Sequence, residues 1–247
     1  MLQKLNNPNT IVIIGRAHGG TRILPEAMKN TGVYFGEPLN IASDLLPLKP
    51  IAAACKIFGK QVVYKGNYEW DFTNTTTTKI PDEFLQLMTE YLSVLIKSNA
   101  SKVGWKIPNS TLIYPWLVRL LPKASFIHWV RHPEGSTSVM TGVDRLEKWN
   151  VPCRKFLFHD WNYKVRAASW KYHYDIVNDT PRPDNFLQIR FEDYISNQNS
   201  TKLLVEEFVG VSLKTLELNR SKVWKPKKDW QKKYPFLRKA MDELDYR

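Results

Sequence analysis

The hydrophobic positions of this chain follow two periods. Thr10–Ile14, Lys102–Ile107, Ser125–Val130 and Phe186–Phe191 read as strands, and three of the four are apolar runs without polar alternation. Such short runs, rich in β-branched and aromatic residues, belong to strands buried on both faces. Between them the spacing is helical. The clearest stripe follows Pro81, with Phe84, Leu87, Met88, Tyr91, Leu92 and Leu95 on one face. Helices are also predicted over Thr21–Asn30, Ser110–Leu121, Trp161–Val177 and Lys202–Val209. Asn40–Phe58 reads as mixed helix and loop, broken by Pro47 and Pro50; Asn67–Thr78, with its run NTTTT, reads as a loop. Alternating strands and helices predict an α/β protein: one parallel sheet with helices on both faces, in a single domain over 1–247.

In such a sheet, ligands bind outside the carboxyl ends of the strands. That rule singles out Gly15–Arg22, Pro108–Ser110, Arg131–Ser138 and Glu192–Tyr194. In IVIIGRAHGGTRIL, Gly15 and Gly20 have the spacing of a phosphate-binding loop. Backbone amides at a helix start favour an anion, and Gly19 and Gly20 let a phosphate come close. Arg16, His18 and Arg22 add side-chain donors. A nucleoside triphosphate site fits poorly, because the lysine that should follow Gly20 is absent: Thr21 and Arg22 stand there. The third strand runs into VRHPEGSTS, placing Arg131 at its end and Ser136 and Ser138 in the turn. Arginine beside hydroxyls is suited to a second phosphate.

Composition adds little to the site but narrows the class. The 247 residues carry a net charge of +12, from 36 basic and 24 acidic residues. Nine Lys or Arg and one acid fall between Arg220 and Lys239, threaded with Trp224, Trp230, Tyr234 and Phe236. Such a segment fits an anionic partner or a solvated basic arm. Cys55 and Cys153 are too few for a disulfide framework or a metal cluster, and no metal is expected. No run of 18 apolar residues exists, and MLQKLNNPNT lacks an apolar signal core. The expectation is a cytoplasmic protein with no membrane span.

Four motifs carry a family resemblance. HGGTR (His18–Arg22), GWKIP (Gly104–Pro108), VRHP (Val130–Pro133) and IRFEDY (Ile189–Tyr194) occur in this order, each at a predicted strand end. Together the chain resembles the sulfotransferases that use 3′-phosphoadenosine 5′-phosphosulfate (PAPS), its loop being most similar to the glycan branch. The resemblance covers about residues 10–195 and implies a P-loop-like fold. It implies that His18, Gly19, Gly20, Thr21 and Arg22, with Arg16, cradle the 5′-phosphosulfate. Arg131, with Ser136 or Ser138, would hold the 3′-phosphate. His18 and Lys106 would steady the leaving phosphate, and Glu37 would be the general base, with Asp44 as runner-up and His159 third. The acceptor implied is a hydroxyl, with a glycan as the candidate. Two departures stand out. The family has Arg or Lys where His18 stands, and its serine falls at Val139, one residue after Ser138.

Three other readings stay open: a non-catalytic nucleotide-binding homologue, a P-loop kinase, and a nucleic-acid-binding module built on the basic C-terminus. The last leaves the strand-end motifs unexplained. Glu192 and Asp193 are expected to hold neighbouring groups and not substrate, and His128 to be a core residue. Trp105 and Trp224 are candidates for stacking on a base or sugar.

Overall fold

A computed structural model describes residues 1–154, 163–216 and 230–246. The chain opens with β1 (Thr10–Ile14), α1 (Ile23–Ala27), β2 (Val33–Tyr34), α2 (Lys49–Gly59), β3 (Val63–Gly66), β4 (Glu69–Asp71) and α3 (Thr73–Thr77). It continues with α4 (Asp82–Tyr91), α5 (Ser93–Lys97), β5 (Lys102–Lys106), α6 (Asn109–Leu112), α7 (Tyr114–Leu120), β6 (Ser125–Val130) and α8 (Pro133–Ser136). The last elements are α9 (Lys164–Asn178), β7 (Phe186–Arg190), α10 (Phe191–Ser196), α11 (Gln198–Val209), α12 (Trp230–Lys233) and α13 (Arg238–Glu243).

The main sheet has five strands in the order β2-β5-β1-β6-β7, and every pairing in it is parallel. Central β1 is buried at all five positions, which is why its sequence shows no alternation. Its side chains still alternate in space: Val12 and Ile14 join the core formed with α2, α4, α6 and α7, whereas Ile11 and Ile13 join the core formed with α1, α10 and α11. Each face of the sheet is thus covered by helices, as the apolar runs predict. β3 and β4 form a separate antiparallel hairpin.

The structure corrects several boundaries. The predicted loop Asn67–Thr78 contains β4 and α3. Thr75 donates back to Phe72 O, Thr76 and Thr77 to Thr73 O, and Thr73 to Asp71 Oδ1, so each hydroxyl is satisfied locally. The predicted helix Ser110–Leu121 is two helices, α6 and α7. Pro115 lies in the first turn of α7, where its missing N–H costs nothing; mid-helix it would break the ladder. α1 spans Ile23–Ala27, shorter than Thr21–Asn30, because the chain leaves the helix through Asn30 at φ +66°. Trp161, the predicted start of α9, lies outside the described residues, as do His159, Trp224 and residues 220–229 of the basic segment. In the described remainder of that segment, Tyr234 is buried in one apolar cluster with Trp170 and Tyr174, and Phe236 stacks on Tyr68 at 4.1 Å.

Candidate functional site

The site forms where β1, β5, β6 and β7 end side by side. After Ile14 the chain turns sharply at Gly15, which has φ +154°; a Cβ there would lie 2.4 Å from the Trp129 carbonyl. Gly20 has φ +90° and sits where a Cβ would meet the Phe191 ring at 2.8 Å. Both positions therefore exclude larger residues. Neighbouring elements clamp the loop. Thr111 Oγ1 accepts the Gly15 amide at 2.8 Å, Trp129 Nε1 donates to Gly19 O at 2.9 Å, and Arg131 Nη1 donates to His18 O at 3.2 Å.

These clamps take up the loop's carbonyls and leave its later amides. The Gly19 amide is spent on Arg16 O at 3.0 Å. The amides of Gly20, Thr21 and Arg22 donate to no acceptor among the described residues. Three consecutive unpaired N–H groups at a strand-to-helix turn form a nest for an anion.

The predicted cations divide into two groups. Arg16 turns inward: it is 5% exposed, and its guanidinium donates to Ala17 O, Ser136 O and the Asp144 carboxylate. Arg16 thus ties the first loop to the turn after β6. His18, at φ +59°, lies on the exposed side of the loop. Desolvation against the loop, then the nearby Arg16 charge, push its pKa below the ordinary histidine value, so it is neutral near pH 7. Arg22 is exposed and donates to Ile41 O at 3.2 Å. Lys106 is buried at the end of β5, with Nζ on Asp44 Oδ1 at 2.5 Å and on Ala42 O. Burial lowers its pKa and Asp44 opposes that shift.

Arg131 stacks over the Phe191 ring at 4.3 Å, and its Nε has no partner. Ser136 is buried, with its hydroxyl on Pro133 O at 3.3 Å; Ser138 is exposed, with its hydroxyl on Gly135 O at 3.1 Å. Glu37 is exposed and makes no hydrogen bond or ion pair with the described residues. Trp105 does not reach the site. It is fully buried and donates to Ser110 Oγ at 3.0 Å, so stacking on a ligand is ruled out for it. His128 is a core residue, as expected, bonded to Gln188 Oε1 at 3.2 Å. Glu192 accepts the His132 amide at 3.0 Å and the Tyr246 hydroxyl at 2.8 Å. Asp193 grips Arg190 through both carboxylate oxygens.

Two residues of the site escape the sequence reading. Asp144 is fully buried and accepts Arg16 together with the Thr141 amide at 2.6 Å. Arg166, on α9, donates to Ser138 O at 2.7 Å. A signal for Asp144 exists: Thr141–Asp144 reads T-x-x-D, an acidic version of a capping box, and the structure forms one. Arg166 shows none.

No curated protein matches the chain. Among solved structures, the sulfotransferase domain from the Synechococcus PCC 7002 olefin synthase is 18% identical with a TM-score of 0.49, over 90% of this chain and 82% of that one. The sulfotransferase domain from the curacin biosynthetic pathway is 13% identical with a TM-score of 0.48, over 89% and 79%. The sulfotransferase from Alicyclobacillus acidocaldarius is 14% identical with a TM-score of 0.49, over 98% and 97%. The family model described as "Sulfotransferase family" matches residues 42–215. That span holds the ends of β5, β6 and β7 and begins after the glycine loop. On that match, which covers more than half of its length, the chain belongs to the sulfotransferase family.

Proposed function

We propose that the chain transfers a sulfuryl group from PAPS to an acceptor hydroxyl. The observation that carries this reading is the row of unpaired amides at Gly20, Thr21 and Arg22, fixed through His18 O to Arg131. It supplies two anion-binding points on adjoining strand ends, which suits a nucleotide with phosphates at two positions. The donor set fits: unpaired amides and the exposed Arg22 for one phosphate, and the orphaned Nε of Arg131 for the other. When bound, PAPS supplies the activated sulfuryl group, so the protein's share is orientation, positive charge and removal of one proton.

In this reading Arg22, and Lys106 held beside Asp44, carry the positive charge that His18 lacks near pH 7. Neutral His18 can still donate one hydrogen bond. Arg16 and Asp144 position the loop and the turn. Glu37 accepts the proton of the acceptor hydroxyl as its oxygen bonds to sulfur and the bridging S–O bond breaks. The acceptor is a hydroxyl compound; a glycan rests on the loop resemblance alone. The neutral His18 also favours a second reading, a homologue that binds the nucleotide without turnover.

Calorimetry tests the donor. Adenosine 3′,5′-bisphosphate should bind at least about tenfold tighter than 5′-AMP, the worth of one charge-assisted contact. Equal affinities would remove the two-phosphate site, and with it PAPS. Bisphosphate binding with no sulfate transfer to any of a broad set of alcohols, phenols and sugars would select the second reading.

A further inference from the structure

Arg131 carries one of the two anion-binding points, and a carboxylate stands beside it. Burial lowers the Arg131 pKa and the Glu192 charge opposes that shift, so Glu192 is within electrostatic reach of the guanidinium. Yet no hydrogen bond joins the two side chains. Arg131 stacks on Phe191 and donates from Nη1 to His18 O, while its Nε and Nη2 have no acceptor among the described residues. An arginine next to a carboxylate ordinarily closes on it with two parallel bonds.

Glu192 is held back by other donors. Its Oε1 accepts the His132 amide at 3.0 Å, and its Oε2 accepts the hydroxyl of Tyr246, 54 positions away, at 2.8 Å. Tyr246 is 5% exposed and fixed from several sides. Its amide donates to Met241 O at 2.8 Å, its carbonyl accepts Gln231 Nε2 at 2.9 Å, and its ring meets His132 edge-on at 5.0 Å. The preceding turns are docked as well: Tyr174 donates to Glu243 at 2.9 Å, and Arg190 Nη1 to Leu244 O at 2.7 Å. Burial, then the Glu192 charge, raise the Tyr246 pKa, so its hydroxyl stays a donor. Arg190, the other cation nearby, is engaged by both oxygens of Asp193. Once Oε2 is released, Arg131 is the cation left to take it.

We propose that Tyr246 is a positioning residue for the anion site: its hydroxyl keeps Glu192 off Arg131 and so leaves that guanidinium open to a ligand phosphate. The identity of the ligand rests on the sulfotransferase reading above; the arrangement of the three side chains does not. Tyr246→Phe keeps the packed ring and frees Glu192 Oε2, which then pairs with Arg131 and competes with the phosphate.

The test compares wild type, Tyr246→Phe and the double variant Tyr246→Phe, Glu192→Gln. Calorimetry gives the affinities for adenosine 3′,5′-bisphosphate and 5′-AMP. NMR of the arginine Nε–H signals, assigned with Arg131→Lys, reports the pairing with no nucleotide present. Tyr246→Phe should bind the bisphosphate about tenfold more weakly, the loss of one charge-assisted contact, with 5′-AMP affinity unchanged and the Arg131 Nε–H signal shifted. The double variant should recover both the affinity and the signal, because a carboxamide accepts the His132 amide but brings no charge to Arg131. A merely structural role would weaken both nucleotides alike and would not be rescued by a second substitution. Wild-type bisphosphate affinity in Tyr246→Phe, an equal loss for both nucleotides, or no recovery in the double variant overturns the proposal. A wild type that does not prefer the bisphosphate over 5′-AMP, with the Arg131 signal still shifted by Tyr246→Phe and restored in the double variant, would instead refute the donor reading and leave this one standing.

Discussion

At the scale of the residue, the sharpest question is which carboxylate accepts a proton. Asp44 sits close to the charge, but both of its oxygens are engaged, Oδ1 by Lys106 and Oδ2 by Asn40. A carboxylate with both oxygens held by donors is poorly placed to take a proton from an acceptor. Its chemistry is that of a counterion: it keeps a buried lysine charged and aimed. Glu37 has no such partner among the described residues and keeps its lone pairs available. Glu37→Gln should therefore lower kcat by about 10²–10⁴-fold, the usual worth of a general base. Bisphosphate affinity should stay unchanged. Asp44→Asn should behave differently, weakening bisphosphate binding as well, because Lys106 loses its counterion. Steady-state kinetics with calorimetry on both variants decides it. A Glu37→Gln enzyme with wild-type kcat would return the role to Asp44.

At the scale of the element, the site depends on one buried connection. Arg16 leaves the end of β1 and meets Asp144 in the 3-10 turn Gly142–Asp144, beyond α8. Asp144→Ala would leave a guanidinium buried without its charge partner, at a cost of about 3–5 kcal/mol. For a chain of this size that is a fall in Tm of roughly 10 °C. The first loop should loosen with it, so bisphosphate binding should weaken even at temperatures where the protein stays folded. Scanning calorimetry and binding at 15 °C check the two parts; a Tm within about 3 °C of wild type would show that the pair holds nothing together. The same connection marks what the sequence could and could not reveal. β1 and β6 are predicted to the residue because burial on both faces leaves an unbroken apolar run. β5 and β7 each end one residue sooner than predicted. β2 has only two residues, and β3 has four with none buried, so neither carries a periodic signal. The strand-end loops could be found because topology alone places them at one edge. The pairs Arg16–Asp144 and Lys106–Asp44 span 128 and 62 positions, and no local pattern encodes such a meeting.

At the scale of the whole molecule, pH should act on stability through three histidines. His128 on β6, His132 just after it and His173 on α9 are all buried, flanking the arginines that frame the site. Burial pushes His128 down to about 3, and His132 and His173 down to about 4. In the unfolded chain each would titrate near pH 6.5. Between about pH 6.5 and 4 the unfolded state therefore holds up to three protons that the folded state refuses, so stability rises with pH across that window and is lost as pH falls through it. Asp175, pushed up to about 7 by burial, works with the opposite sign over much of the same range: folded, it keeps a proton that the unfolded chain releases above about pH 4. The balance is about two protons, or roughly 3 kcal/mol per pH unit near pH 5. Urea midpoints measured from pH 8 to pH 5 should be nearly level down to about 7 and then fall. His128→Gln should make that fall shallower by about one proton's share, since glutamine fills the site without titrating. A wild-type midpoint that holds steady from pH 7 to 5 would mean that the fold accepts these protons after all. The loss should reach function before global unfolding does, because His132 takes its backbone anchor from Glu192 and follows Arg131 directly in the chain. Acid should therefore weaken bisphosphate binding at a pH where the far-ultraviolet circular dichroism is still that of the native protein.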